Sequence, residues 1–445
     1  MKKTFRIGGV HPHDNKISAE AAIEIFPAIP TAYVSMAQHL GAPATPVVAV
    51  GDRVKVGQVL AEPAGFISGY VHSPVSGTVK KIEPRADIAG NPVPHIEIAV
   101  EGDEWMEGID TTPDIVRDIP YSPEEIIAKI KNAGIVGLGG ASFPTHVKLA
   151  PPKDKKAECL ILNGTECEPY LTSDDRIMRE RPEEILLGGV IMMKALGVTR
   201  GYVGIEENKP AAIASMREAA KAYPQIEVVV LKKRYPQGGE KQLIDAVIRR
   251  QVPSGGLPID TGAVVQNVGT SLAVYEAVQK NKPLIDNVIT VTGDCLPVQH
   301  NYKVRIGTPM SKILEVAGGV PEKAAKIISG GPMMGRAIVN LDAATVKANG
   351  AILLLTDAQT RRRPESNCIR CSKCASACPM GLEPWLLNKL GRAGGMHAEL
   401  EKERVYDCIE CGCCSFTCPA GIPLLDTIRI SKAEVMKILR SRPKK

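Results

Sequence analysis

Short apolar runs bounded by glycine and proline alternate along this chain with amphipathic stretches, and the two periods predict different elements. Residues 41–100 read as strands with tight turns, from Gly51-Asp-Arg-Val-Lys-Val-Gly57 to Ser73-Pro-Val-Ser-Gly77-Thr-Val-Lys. Ser122-Pro-Glu-Glu-Ile-Ile-Ala-Lys-Ile-Lys predicts an amphipathic helix with Ser122 as its cap and Pro123 at its first position. Glu158 to Asn163 is a continuous apolar run suited to a buried strand, and Val288 to Gly293 and Ile327 onward give two more strands. Met310 to Val316 reads as a helix, and Ile422 to Lys445 as a basic C-terminal one. The longest greasy stretch, Ile185 to Val198, is interrupted by Gly188, Gly189 and Lys194 and falls short of the roughly 20 apolar residues of a membrane span.

Composition narrows the class. The 445 residues carry 55 Lys and Arg against 49 Asp and Glu, a net charge of +6, which is too dilute to argue for nucleic acid. Aromatics at 4% leave little material for a base-stacking surface. Charged residues at 23% and hydrophobics at 44% exclude a disordered chain. The opening Met1-Lys2-Lys3-Thr4-Phe5-Arg6 has no apolar segment behind it and does not read as an export signal.

Cysteine changes the picture. Of the 12, Cys159, Cys167 and Cys295 are scattered, and nine crowd between Cys368 and Cys418. Two runs, Cys368-x2-Cys371-x2-Cys374-x3-Cys378-Pro379 and Cys408-x2-Cys411-x2-Cys414-x3-Cys418-Pro419, follow the bacterial ferredoxin spacing. In that spacing three thiolates hold three corners of one cube and the fourth, before proline, reaches the other. Cys368, Cys371, Cys374 and Cys418 are therefore expected on one [4Fe-4S] cluster, and Cys408, Cys411, Cys414 and Cys378 on the second. A pair of zinc sites is the alternative, but zinc gives no reason for four cysteines and a proline repeated twice. Cys413 is surplus and reads as a packed thiol.

A glycine-rich segment, Gly134-Ile-Val-Gly137-Leu138-Gly139-Gly140-Ala-Ser-Phe143-Pro144-Thr145-His146-Val-Lys148, lies between the predicted helix and the buried strand. Glycines there let backbone amides approach a phosphate, with Lys148 as a point charge, although a plain flexible turn would use the same residues. No Gly-Lys-Ser/Thr follows, so it is not a Walker loop, and no strand precedes it as a Rossmann fingerprint requires. Three further motifs follow: Asn163-Gly-Thr165-Glu166-Cys167-Glu168-Pro169, Tyr235-Pro-Gln-Gly238-Gly239-Glu240 and Gln266-Asn267-Val268.

In this order the four motifs resemble those of the NADH-oxidising flavoprotein subunit of respiratory complex I. The resemblance implies FMN contacts at Gly137, Gly139, Gly140, Lys148, Asn163, Thr165, Glu166, Gly238 and Asn267, and NAD(H) contacts at Phe143, Glu168 and Glu240. Leu138, Gly239 and Gln266 depart from that family's arginine, glutamate and asparagine. Residues 41–100 resemble the barrel-sandwich hybrid of biotinyl and lipoyl carriers, without a lysine at the hairpin tip near Phe66 to Tyr70, which favours a docking module over a swinging arm. Residues 285–355 resemble the β-grasp-like SLBB domain, where Met333-Met334 reads as core packing. The opening Gly8-Gly9-Val10-His11-Pro12-His13-Asp14-Asn15-Lys16 is similar to that of the RnfC family of electron-transport proteins, and so is the order of parts. His11 and His13 read as loop residues, with a metal as the less favoured alternative.

The expected architecture is multidomain α/β and α+β. It comprises a barrel-sandwich hybrid over 1–110, a Rossmann-like FMN/NADH domain over 111–282, an SLBB domain over 283–358 and a helical two-[4Fe-4S] ferredoxin-like domain over 359–445. The implied function is an NAD(H)-oxidoreducing peripheral subunit of an ion-translocating ferredoxin:NAD+ oxidoreductase on the cytoplasmic face of the membrane. Its cofactors would be FMN, NAD(H) and two [4Fe-4S] clusters. Its partners would be the membrane-embedded and ferredoxin-like Rnf subunits, through which it meets the membrane, and indirectly ferredoxin. No acid or base is needed for hydride transfer, so no side chain is assigned one. Rival readings are a soluble flavin/iron–sulfur reductase, such as a cobalamin reductase, and a non-enzymatic relay. The basic C-terminus, with Lys432, Lys437, Arg440, Arg442, Lys444 and Lys445, fits a solvated tail or a contact with anionic lipid or an acidic partner.

Overall fold

A computed structural model describes residues 2–442. Its centre is a four-stranded parallel sheet in the order Ile226–Leu231, Gly201–Glu206, Cys159–Gly164, Ala263–Asn267. Leu160, Ile161 and Leu162 are buried, as expected of a strand covered on both faces. Chain order reverses between Cys159–Gly164 and Ala263–Asn267, so the sheet has a topological switch point at the ends of those two strands. The Pro123–Asn132 helix precedes the sheet with the expected cap: Ser122 and Glu125 close a reciprocal capping box, and Ile126 and Ile130 face the core.

The N-terminal unit is two small sheets, Thr31–Ser35, Pro92–Val100, Gly77–Ala86, Arg53–Val54 and Thr45–Pro46, Val59–Glu62, Val71–His72. Its interior runs without a break into the six-stranded sheet built around Asp286–Thr292 and Ala351–Thr356, so Val34, Leu60, Ile96, Ile289, Ile313 and Leu354 belong to one core. The hybrid is thus a fixed module. Phe26 and Ile29 join that core, whereas the residues before them pack elsewhere: Lys3 pairs with Leu231 of the central sheet, and Ile23–Ile25 adds a parallel edge strand beside His300–Arg305. Too short and too glycine- and proline-interrupted to carry a period, this segment takes its structure from the surfaces it crosses.

The hairpin is tied down at its base, while residues 64–67 at its tip are exposed. Leu40 N donates to Ser142 O of the glycine-rich loop, and the Lys347 ammonium donates to Tyr70 O and Gly134 O, both at 2.7 Å. Lys347 is fully buried, and burial pushes it down to about 7. Its folded-state value lies below the ordinary 10.5, so between those limits the unfolded chain binds more protons and stability rises with pH. Relative to a Lys347→Met variant, the parent should gain about 1.4 kcal/mol per pH unit across that window, the one-proton slope. Denaturant titrations of both proteins at several pH values measure it; parallel curves would contradict it.

The C-terminal unit is helical, with Pro384–Ala393 and Leu424–Ser441 packed through Leu387, Leu424, Ile428 and Val435 beneath the cysteine loops. Among the described residues no helix is long and apolar enough to cross a membrane. Of the basic C-terminal residues, Lys432 donates to Cys408 O and pairs with Glu410, Arg442 pairs with Glu401, and Lys437 and Arg440 are exposed. Lys444 and Lys445 lie outside the described residues.

Candidate flavin and iron–sulfur sites

The switch point gathers the sequence motifs. The Cys159–Gly164 strand carries Asn163 next to its last residue; the Asn163 side-chain amide donates to Gly238 O (2.9 Å) and its side-chain carbonyl accepts from Thr165 N and Oγ1. Gly238 sits so tightly there that a Cβ would stand 2.4 Å from Thr165 Oγ1, so only glycine fits. Asn267 caps the Val268–Gln279 helix, accepting from Gly269 N and Thr270 N, and donates to Asp174 Oδ2 at 2.7 Å. Gly139 lies against Asn267, and Gly140, at φ +145°, faces open space. Leu138 N is held by Thr270 Oγ1 (2.9 Å) and Gly137 N by Phe143 O (2.9 Å), which folds the glycine-rich segment back over the strand ends. Lys148, on the short Thr145–Leu149 helix, reaches Glu240 Oε1 at 2.7 Å and Val265 O at 3.2 Å. Gly137, Gly139, Gly140, Phe143, Lys148, Asn163, Thr165, Gly238, Glu240 and Asn267 thus converge on one end of the sheet.

Two of the expected side chains are engaged elsewhere. The Glu166 carboxylate accepts from Asp174 N (2.7 Å), Asp175 N and Ser173 Oγ and closes the start of the Ser173–Glu180 helix. Glu166 itself stands at φ +44°, held there because Lys16 and Lys209 donate to its carbonyl. The Glu168 carboxylate accepts from Met333 N (3.0 Å) and Met334 N (2.8 Å), tying this loop to the Ile328–Arg336 turn of the next unit. Burial raises Glu168 to about 6, opposed by those amides. Asp174, which sequence reasoning did not single out for the site, is half-buried beside Glu166; burial and that neighbouring carboxylate push it up to about 7. Gln266 Nε2, buried with no partner, marks a further polar group next to the pocket. A glycine-lined cradle at a switch point, with one lysine and unpaired polar groups, fits a phosphate-bearing flavin.

The cysteines divide unequally. Cys378, Cys408, Cys411 and Cys414 line one small cavity walled by Pro379, Leu387, Ile409, Leu425 and Ile428. Burial pushes the Cys408 thiol up to about 11 and Cys414 up to about 12, a cost that bound cationic iron offsets. Leu382 N points at Cys378 Sγ and Glu410 N at Cys408 Sγ, both at 3.4 Å, the amide-to-sulfur contacts that tune cluster potential. Cys374 lies within electrostatic range of Cys418, whereas Cys378 feels Cys411. Crossed pairing of the two runs requires such proximities. Cys368 and Cys371 are exposed, so this first group lies at the surface. Cys413 is buried against Tyr235 O. Among the described residues no three Cys, His, Asp or Glu side chains converge as the ligands of a single ion do, at the cysteines or at His11 and His13.

Comparison with known proteins accords with this geometry. The C subunit of the proton-translocating ferredoxin:NAD(+) oxidoreductase complex of Clostridium ljungdahlii is 47% identical over 394 residues, covering 88% of this chain and 85% of its own. Its counterpart in the Na(+)-translocating complex of Acetobacterium woodii is 42% identical over 440 residues, 97% of each chain. The chain belongs to this family, RnfC. The RnfC counterpart in the ion-translocating oxidoreductase complex of Rhodobacter capsulatus is 41% identical over 396 residues, covering 87% of this chain and 75% of its own. Domain models agree part by part: the RnfC barrel sandwich hybrid domain matches residues 3–104, the Nuo51 FMN-binding domain 130–276, the SLBB domain 288–337 and the 4Fe-4S dicluster domain 365–422. FMN and two [4Fe-4S] clusters are therefore the cofactors of this RnfC protein, and the soluble-reductase alternative falls away.

Proposed function

We propose that this RnfC protein exchanges electrons with NAD(H) at the switch-point pocket and passes them through the buried cysteine site to the exposed one. The protein is part of an ion-translocating ferredoxin:NAD+ oxidoreductase complex, and it works with the other subunits of that assembly. When bound, FMN exchanges a hydride with NAD(H) as two electrons and trades them singly with the clusters. The chain's own residues do the positioning. Lys148 and the amides of Gly137, Gly139 and Gly140 take the flavin phosphate, Asn163, Thr165, Gly238 and Asn267 fix its sugar side, and the Glu166 backbone borders the pocket. Phe143, Glu240 and the Glu168 loop receive the dinucleotide. Cys378, Cys408, Cys411 and Cys414 hold the inner cluster, and Cys368, Cys371, Cys374 and Cys418 the outer.

One observation carries this reading: the pocket motifs and the inner cysteine loops touch directly. Tyr235, from the motif that supplies Gly238, donates its hydroxyl to Cys411 O at 2.8 Å, and Cys167, from the Asn163 motif, packs in the same apolar cluster as Cys411 and Cys413. The outer site, with Cys368 and Cys371 exposed, is left for exchange with neighbouring proteins of the assembly, at a membrane reached through them on its cytoplasmic face. The test is anaerobic reconstitution with FMN, iron and sulfide followed by NADH titration. The flavin absorbance should bleach and both clusters reduce; a flavin that stays oxidised at saturating NADH sinks the proposal.

A further inference from the structure

We propose that the N-terminal segment Lys3–Val10, through Gly8 and Gly9, is a strap that together with the Tyr235 hydroxyl sets the placement of the inner cluster against the flavin pocket. The inference rests on the assignment of pocket and inner cluster made above. It concerns residues that belong to neither site by their own chemistry.

One side of the strap is fastened to the flavin unit. Lys232 N donates to Lys3 O, Arg6 donates through N and Nε to the buried Asp245 (2.8 and 2.7 Å), and Arg234 Nη1 donates to Phe5 O while its guanidinium lies 4.4 Å over the Phe5 ring. Val10 and Tyr235 then exchange both backbone hydrogen bonds, at 2.8 and 2.9 Å. The other side grips the cysteine loop. Gly9 N donates to Ala377 O at 2.9 Å, one residue before Cys378. Gly8 packs so closely that a Cβ would stand 2.3 Å from Cys378 O and 2.5 Å from Pro379 N, and one on Gly9 would stand 2.8 Å from Tyr235 O. Both glycines have positive φ, +69° and +86°, so the tight approach and the backbone turn each demand glycine.

Tyr235 completes the clamp. Its backbone carries the strap, its hydroxyl holds Cys411 O, and Gln242 from the same unit donates to Pro379 O at 3.2 Å. The two halves of the inner ligand set, Cys378 from the first motif and Cys411 from the second, are therefore fixed to the flavin unit within one buried cluster of Val10, Tyr235, Ala377, Cys411 and Cys413. Chain connectivity alone does not do this, because more than one hundred residues separate Tyr235 from either cysteine. Electron exchange falls steeply with separation, so a strap that fixes backbone to backbone sets a rate as well as a fold.

The test uses the full chain, anaerobically loaded with FMN and both clusters, as Tyr235→Phe and Gly8→Ala. Tyr235→Phe should keep full iron and flavin, shift the electron paramagnetic resonance (EPR) spectrum of one cluster only, the one that Cys411→Ser removes, and slow cluster reduction about tenfold while NADH bleaches the flavin at the parental rate. Gly8→Ala should also speed hydrogen exchange of the 375–381 amides. Wild-type spectra and reduction rates in both variants overturn the proposal. So does loss of iron in Gly8→Ala while Tyr235→Phe stays wild-type in both readouts, because Gly8 is then only a folding residue. Failure of the unsubstituted protein to bleach with NADH would instead overturn the pocket assignment.

Discussion

Lys148→Ala is expected to empty the flavin site without unfolding the protein. A charge-assisted hydrogen bond to phosphate is worth about 1.5–3 kcal/mol, so the FMN dissociation constant should rise by roughly 10- to 150-fold. The ammonium's present partner does little for the fold: Lys148 and Glu240 are 30% and 37% exposed, which places their pair among the weakly stabilising, solvent-screened ones. The variant should therefore purify with normal thermal stability and normal iron, and with flavin lost on gel filtration. Flavin retained at parental affinity would remove Lys148 from the phosphate site. Arginine at this position should restore part of the binding, since charge is kept and point geometry is not.

The second large effect separates crossed from contiguous ligation. Cys378→Ser should abolish the same cluster signal as Cys411→Ser and leave the signal that Cys371→Ser abolishes. The reason is geometric: Cys378 faces the cavity with Cys408, Cys411 and Cys414, and Cys418 stands near Cys374. If Cys378→Ser and Cys371→Ser erased the same spectrum, each four-cysteine run would hold its own cluster and the assignment would be wrong. Because ligand burial here is coupled to metal binding, losing the inner cluster should also lower the thermal midpoint more than losing the outer one. Leu387, Leu425 and Ile428 pack at the inner cavity, whereas Cys368 and Cys371 lie in exposed loop.

The parts of the fold with a strong local signal were legible in the amino-acid sequence. Ser122 and Pro123 announce a helix start that forms with Ser122 as its cap, and Leu160 to Leu162 announce a strand covered on both faces. Cysteine spacing pointed to the loops that meet at the inner cavity, because a loop of fixed length leaves few ways to place three thiolates. What was not legible depends on partners remote in sequence. Glu168 read as a dinucleotide contact, but its carboxylate is drawn to the amides of Met333 and Met334, some 165 residues away. Glu166 occupies a motif position, yet the nearest unsatisfied amides are those opening the Ser173–Glu180 helix, and it closes them. Gly8 and Gly9 carried a family likeness with no physical role attached, since the surface they fit is assembled from the Tyr235 and Cys378 loops. Lys16 belongs to the same class: its ammonium holds the carbonyls of Glu166, Glu168 and Leu171 and so shapes the pocket from below, which no local pattern shows.

The most direct test of the relay is rapid mixing of the anaerobic holoprotein with NADH, following flavin absorbance and the EPR of samples frozen along the same time course. The flavin should bleach first, and the signal assigned through Cys378→Ser should appear no later than the one assigned through Cys371→Ser. A bleached flavin beside two clusters that stay oxidised, or an outer signal that rises while the inner remains silent throughout, would contradict the relay.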